Sequence, residues 1–166
     1  MTIVLIGPPA SGKTRVGKRL ARRLGASFTD TDSRIVAEYG PIAEIFAREG
    51  EPYFRVIERE AVVRALETGG VISVGGGAVL DPQTRKDLAN AHVVLLTVTP
   101  EAVALRIDDD KRPLVNGVDS WRALVESRMP LYVSLADYRA DTSRRPLSVI
   151  VEEIATWWEQ QNGENA

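Results

Sequence analysis

The first 24 residues constrain the fold most, because they join a buried strand to a helix through a loop of small residues. Thr2–Ile6 is a continuous β-branched and apolar run, which is typical of a strand covered on both faces. The loop GPPASGKT follows at residues 7–14, and Lys13–Leu24 then has the apolar spacing of a helix that ends at Gly25. This order predicts an α/β fold that begins with a central strand.

The rest of the chain continues this alternation of strands and helices. Further strands are predicted at Ser27–Thr29, Val71–Val74, His92–Val98 and Arg139–Thr142. Helices are predicted at Ser33–Tyr39, Ile42–Arg48, Pro52–Glu67, Glu101–Ile107, from Ser120 onward and at Leu147–Gln160, with a polar loop at Asp108–Asp119. Parallel strands joined by helices form a sheet covered on both faces, and ligands bind beyond the carboxyl ends of its strands.

Composition narrows the classes of function. The chain has 166 residues, which suits a single domain over residues 1–166. Its formal net charge of −2 gives no overall attraction to nucleic acid or to an anionic membrane, and no apolar stretch approaches the ~20 residues needed to span a bilayer. The absence of cysteine excludes disulfides and thiolate metal sites. We expect a cytoplasmic monomer without nucleic-acid or membrane partners.

The loop GPPASGKT satisfies the pattern G-x-x-x-x-G-K-[ST], with Gly7, Gly12, Lys13 and Thr14 at its fixed points. Between a strand and a helix, the backbone N–H groups of such a loop converge on a phosphate. Lys13 is predicted to reach the β- and γ-phosphates of a nucleotide, and the Thr14 hydroxyl to ligate Mg²⁺. The alternative is a small-residue turn with a chance Lys-Thr pair, which the strand–loop–helix context disfavours.

Two further segments are predicted at the same edge of the sheet. Asp30 is a candidate to hold a Mg²⁺-bound water, and Asp32 to accept a proton from an acceptor hydroxyl. The alternative is that Asp32 or Ser33 only caps the next helix. Gly75–Gly77 follows a buried strand, so a small molecule can contact its backbone directly, although a flexible turn is the simpler interpretation.

Three arginines are further candidates for the site. Arg55 occurs in EPYFR, Arg128 in SRMPLY and Arg112 in DKRPLVNG. Arg112 lies in a polar loop that also contains Pro113 and Gly117, which suits a lid that closes over a γ-phosphate.

In their order along the chain, these motifs resemble the shikimate kinase family, within the nucleoside-monophosphate-kinase-like group. The matching segments lie between about Ile3 and Val151 and are GPPASGKT, DTDSRI, IAEIFAREGEPYFR, VISVGGGAV, RIDDDKRPL and SRMPLY. The resemblance implies a three-layer P-loop kinase fold with a five-stranded parallel sheet in the order 2-3-1-4-5 and helices on both faces. It also implies a small substrate-binding helical segment at about 31–60 and a lid at about 108–119.

The implied activity is ATP-dependent phosphorylation of the shikimate 3-hydroxyl in aromatic amino-acid biosynthesis, with Mg²⁺. The resemblance implies catalytic roles for Asp32, as the base, and for Lys13 and Arg112. It implies ATP contacts at Gly7, Ala10, Ser11, Gly12, Lys13, Thr14, Arg15, Arg106, Arg112 and Arg145. It implies shikimate contacts at Asp32, Arg55, Gly75, Gly76, Gly77 and Arg128, and metal contacts at Thr14 and, through water, Asp30.

Physical chemistry agrees with the implied substrate. A guanidinium donates two parallel hydrogen bonds to a carboxylate, so two arginines and an aspartate suit a small hydroxy acid rather than a purine. Two alternatives remain, which are a kinase for another hydroxy acid such as gluconate and a nucleotide-binding regulator without activity. The chain also departs from the family by one fewer residue between Gly40 and Ile42 and before Pro146.

Overall fold

A five-stranded parallel sheet lies at the centre of the computed structural model, which describes residues 1–110 and 117–163. Its strands are β1 Thr2–Ile6, β2 Phe28–Asp30, β3 Gly70–Ser73, β4 His92–Thr97 and β5 Tyr138–Asp141. They lie in the order β2-β3-β1-β4-β5, and every neighbouring pair is parallel. This is the predicted order 2-3-1-4-5, so the expected P-loop kinase fold is confirmed.

Eight helices accompany the sheet in the described part of the chain. They are α1 Lys13–Leu24, α2 Thr31–Tyr39, α3 Ile42–Glu49, α4 Glu51–Thr68, α5 Pro82–Leu88, α6 Pro100–Asp110, α7 Val118–Leu135 and α8 Leu147–Gly163, with one 3-10 turn at Ala78–Leu80. No helix within residues 1–110 or 117–163 is long and apolar enough to cross a membrane.

The side chains of β1 alternate between two hydrophobic cores, as the geometry of a strand requires. Ile3 and Leu5 pack with Leu20 of α1 and Ile154 of α8 on one face. Val4 and Ile6 face the other side, where the core is completed by residues of α4, α5 and α7. Because both faces of β1 are covered, the continuous apolar run seen in the sequence is explained.

A third core lies among α2, α3 and α4 rather than on the sheet. Ile35, Ile45, Phe54 and Ile57 form it, and all four are buried. These helices make up the segment expected at about 31–60 to bind substrate. They carry their own packing and place Asp32 and Arg55 beside the carboxyl ends of the strands.

The structure corrects the prediction that Asp108–Asp119 is entirely a loop. Helix α6 continues through Asp110, and α7 already begins at Val118. Residues 111–116 lie outside the described residues, so the predicted lid and Arg112 stay predictions. Helix α5 was not predicted, because its seven residues are mostly polar; its signal is Asp81, whose carboxylate accepts from Thr84 N at 2.8 Å ahead of Pro82.

Candidate active site

The loop from β1 to α1 leaves the N-terminus of α1 open to an anion. Gly7 has φ 146°, and a Cβ there would lie 2.4 Å from the carbonyl oxygen of Leu96, so only glycine fits. Gly12 is the N-cap of α1, and no side chain within the described residues caps it. The N–H groups of the first turn of α1 are therefore available to a phosphate, as the motif predicts.

The carbonyl oxygens of this loop are held by side-chain donors. Five consecutive carbonyls accept such bonds: Gly7 O and Pro8 O from Lys13 Nζ, both at 2.9 Å, Pro9 O from Trp121 Nε1 at 2.8 Å, Ala10 O from Arg106 Nη1 at 2.8 Å and Ser11 O from Thr142 Oγ1 at 2.7 Å. A loop whose carbonyls are held in this way can direct its N–H groups toward a bound anion.

Asp30 connects the end of β2 to the phosphate loop. Its Oδ1 accepts a hydrogen bond from Ser33 N at 3.0 Å, and its Oδ2 accepts one from Thr14 Oγ1. Asp30 is therefore the N-cap of α2, whereas the alternative interpretation gave that role to Asp32 or Ser33. This bond brings together the two residues expected at the metal.

Hydroxyl and carboxylate oxygens are the ligands that Mg²⁺ prefers, so Thr14 and Asp30 fit this ion. No cluster of three or more His, Cys, Asp or Glu side chains suited to a metal occurs in residues 1–106 and 117–163. A magnesium ion held by Thr14 and, through water, by Asp30 would take its other ligands from nucleotide phosphates and water, which is the usual arrangement for this ion.

Asp32 is placed to act as an acceptor in the first turn of α2. Its buried Oδ1 has no hydrogen-bond partner within the described residues and would lie 2.9 Å from a Cβ on Gly75. Burial raises the pKa of Asp32, the negative charge of Asp30 raises it further, and the charges of Lys13 and Arg55 act in the opposite direction. A carboxylate with raised proton affinity beside a substrate cleft suits a general base.

Glu58 is a buried site residue that the sequence interpretation missed. Glu58 lies on α4 and is only 3% exposed, and its Oε1 accepts a hydrogen bond from Arg55 Nη1 at 2.7 Å. Burial raises the pKa of Glu58, whereas the adjacent Arg55 lowers it. The available signal was its position one residue after Ile57 on the apolar face of α4, where an unpaired carboxylate is costly.

The glycine segment after β3 packs directly on these charged groups. A Cβ on Gly75 would lie 2.7 Å from Glu58 Oε2, and a Cβ on Gly77 would lie 2.5 Å from both Nη atoms of Arg55. The Gly76 carbonyl accepts from the hydroxyl of the fully buried Tyr132 at 2.5 Å. The segment is thus fixed by α7, and its lack of Cβ atoms leaves room for Asp32, Glu58 and Arg55. The simpler interpretation, a flexible turn, would not explain this close packing.

One cleft of about 570 Å³ joins these groups. Of the predicted residues, it is lined by Ala10, Gly12, Lys13, Thr14, Arg15, Asp30, Asp32, Arg55, Gly75, Gly76, Gly77, Arg106, Arg128 and Arg145. Gly7 and Ser11 are buried behind the lining, and Arg112 lies outside the described residues. The three sequence segments expected to meet at one edge of the sheet do meet there.

Arg106 and Arg145, which are expected to contact ATP, are more constrained than the sequence suggested. Arg106 Nη2 donates to the Thr142 carbonyl at 2.6 Å, in addition to its bond to Ala10. Arg145 forms an ion pair with Glu153 and donates to the Asp141 carbonyl at 3.1 Å. Both guanidinium groups are therefore already oriented by protein partners.

The sequence profile of the shikimate kinase family matches residues 9–159. The chain is 47% identical over 159 residues to the shikimate kinase of Mycobacterium avium (strain 104). This alignment covers 92% of this chain and 90% of that relative. The chain belongs to the shikimate kinase family.

Two solved shikimate kinases are similar over almost the whole chain. The shikimate kinase from Acinetobacter baumannii in complex with shikimate has a TM-score of 0.90 and 32% identity, covering 96% of this chain and 93% of that chain. The shikimate kinase from Aquifex aeolicus has a TM-score of 0.82 and 32% identity, covering 98% of each chain. The fold and its strand order are therefore those of a shikimate kinase.

Proposed function

We propose that this protein transfers the γ-phosphoryl group of ATP to the 3-hydroxyl of shikimate, which gives shikimate 3-phosphate and ADP. The reaction belongs to the chorismate pathway to the aromatic amino acids. The observation that carries the proposal is that Asp32, Arg55 and Arg128 line the same cleft as Lys13 and Thr14. A phosphate loop and a set of groups for a small hydroxy acid thus share one space.

The side of the cleft that carries Arg55 and Arg128 suits the carboxylate of shikimate. Arg55 and Arg128 project into the cleft from α4 and α7 and would pair with the carboxylate through parallel hydrogen bonds. Glu58 holds Arg55 at 2.7 Å, so that guanidinium is oriented before substrate binds. Gly75–Gly77 would contact the substrate through its backbone.

On the nucleotide side, the N-terminus of α1 and Lys13 would bind the phosphates. Lys13 Nζ donates to Gly7 O and Pro8 O and would turn toward the β- and γ-phosphates of ATP. Arg106 and Arg145 would flank the adenine. Arg112 would stabilise the transferring phosphoryl group, which is a proposal from the sequence motif alone.

Asp32 would act as the general base in the reaction. The 3-hydroxyl oxygen attacks the γ-phosphorus, the bond from that phosphorus to the bridging oxygen of ADP breaks, and the hydroxyl proton passes to Asp32. Bound at Thr14 and, through water, Asp30, Mg²⁺ would neutralise charge on the phosphate oxygens. Lys13 and the N–H groups of α1 stabilise the charge that develops on the transferring group.

The proposal includes one cytoplasmic, monomeric domain over residues 1–166, with a substrate-binding segment at about 31–60, a lid at about 108–119 and no nucleic-acid or membrane partner. Analytical ultracentrifugation at assay concentration tests the oligomeric state.

A coupled assay of ADP release tests the activity, with shikimate and gluconate compared as acceptors at equal concentrations. We expect turnover with shikimate, little with gluconate, and ³¹P NMR evidence that the phosphate is on the 3-hydroxyl. Turnover with gluconate alone would support a different hydroxy-acid kinase. Nucleotide binding without turnover of either acid would support a regulator without activity.

A further inference from the structure

Trp121 contacts the phosphate loop from outside the cleft. It lies in the first turn of α7, is 2% exposed and packs with Val98, Val103 and Val125. Its indole Nε1 donates to the Pro9 carbonyl at 2.8 Å. A buried indole N–H needs such an acceptor, and here the acceptor is the backbone of the loop that is proposed to bind ATP.

The acceptor belongs to a turn with an unfavourable backbone conformation. Ser11 N donates to Pro8 O at 3.3 Å, which closes a four-residue turn from Pro8 to Ser11. Ala10, the third residue, has φ 65°, and the second residue is Pro9, whose ring excludes positive φ. These conditions define a type II turn, in which glycine is strongly preferred at the position that alanine occupies here.

A competing conformation is close to this one. Rotating the Pro9–Ala10 peptide plane converts a type II turn to type I and returns the second central residue to negative φ, which alanine prefers. The rotation would also exchange the directions of Pro9 O and Ala10 N–H, because they point in opposite directions across a trans peptide. Only the type II form aims Pro9 O at Trp121.

We propose that Trp121 is a positioning residue for ATP, whose indole N–H holds the Pro9–Ala10 peptide in the type II orientation and directs Ala10 N–H toward the bound phosphates. The inference rests on the proposed function, in which this loop binds ATP. Trp121 is not one of the described residues that line the cleft, so it acts through the loop. Replacing Trp121 should therefore weaken ATP binding more than shikimate binding.

The first experiment removes the N–H donor. Trp121→Phe deletes it, and replacement of Trp121 by benzothienylalanine through an expanded genetic code deletes it without changing the ring volume. We expect both variants to bind ATP about tenfold more weakly by calorimetry, the size expected from loss of one hydrogen bond. Shikimate affinity should change by less than about twofold, because its groups remain in place.

Trp158→Phe is the matched control. Trp158 is also partly buried, but its Nε1 has no hydrogen-bond partner within the described residues, so the same substitution removes no such bond. ATP affinity should then be unchanged. An ATP affinity equal to wild type in the folded benzothienylalanine variant would overturn the inference, as would equal weakening of ATP and shikimate binding.

A second-site variant separates positioning from general packing. Ala10→Gly removes the penalty on positive φ, so adding it to Trp121→Phe should restore most of the lost ATP affinity. A packing defect in α7 would not be restored, and failure of this rescue would contradict the turn mechanism. If wild type neither binds ATP nor phosphorylates shikimate, the proposed function fails; if wild type does both and the Trp121 variants bind ATP normally, only this inference fails.

Discussion

Arg55 Nη1 donates to Glu58 Oε1 at 2.7 Å, and the carboxylate that accepts this bond is almost fully buried. Arg55 Nη2 also donates to the exposed Glu51 at 3.2 Å, so two carboxylates of α4 hold one guanidinium in the cleft. Burial of Glu58 is costly without this partner. The pair therefore has a functional explanation, since it orients the arginine that is proposed to bind the substrate carboxylate.

The first prediction concerns the pH dependence of stability. Burial raises the pKa of Glu58 above its ordinary value of about 4.3. At pH values between the ordinary pKa and the raised pKa of Glu58, the folded chain binds more protons than the unfolded chain. The contribution of Glu58 to the unfolding free energy therefore falls as pH rises through this range. Glu58→Gln should lack this component, and its melting temperature relative to wild type should increase from pH 4 upward.

Glu51→Gln is the matched control, because it removes the exposed carboxylate that pairs with the same arginine. Exposed pairs contribute little to stability, so its melting temperature should follow wild type across the pH range. Parallel curves for wild type and Glu58→Gln would contradict the assignment of a raised pKa to Glu58.

The second prediction concerns Gly77→Ala. The backbone at Gly77, with φ −99°, accepts alanine, but the added Cβ would lie 2.5 Å from the guanidinium of Arg55. Arg55 must then move, and shikimate should bind about tenfold more weakly, as expected for one disturbed charged contact. ATP affinity should be retained, and isothermal titration calorimetry with each ligand measures both.

Gly163→Ala serves as the control, because a Cβ there meets no atom of the described residues within 4 Å. It should bind shikimate as wild type does. Wild-type shikimate affinity in Gly77→Ala would show that the position of Arg55 is unimportant for binding.

Much of the fold was predictable because local sequence and global packing agree. The bounds of β1 and α1 are those predicted, since β1 is a continuous apolar run and α1 lies between Gly12 and Gly25. Helix α5 was missed because its stability comes from a cap and from contacts such as Arg59 with Asp87, which no periodic pattern reveals. The strand order came from the family resemblance.

The site was predictable where a motif fixes the spacing of its residues. Lys13, Thr14 and Asp30 were expected from such patterns, and the structure brings them together. Glu58 and Trp121 were not expected, because the burial of Glu58 against Gly75 and the hydrogen bond of Trp121 both depend on segments distant in the sequence. Trp121 contacts Pro9 across 112 positions, which single-sequence patterns cannot indicate.

The third prediction separates the two aspartates. Asp32→Asn keeps the shape of the side chain but removes the base, so kcat should fall by ~10²–10⁴-fold while ATP affinity is retained. Asp30→Asn should instead raise the Mg²⁺ concentration needed for half-maximal rate, because Asp30 contacts Thr14 at the proposed metal site. Steady-state kinetics over a Mg²⁺ series measures both, and an identical response of the two variants would contradict this division.

The fourth prediction concerns Lys13, whose ammonium donates to two loop carbonyls at 2.9 Å. Lys13→Met keeps a similar unbranched side chain without the charge, so the protein should remain folded. Phosphoryl transfer should fall by at least ~10²-fold, because a charge aimed at the transferring oxygens is lost. Lys18→Met, an exposed substitution on the same helix, should keep wild-type turnover. Near-normal turnover in a folded Lys13→Met variant would show that this loop does not stabilise the transferring phosphoryl group.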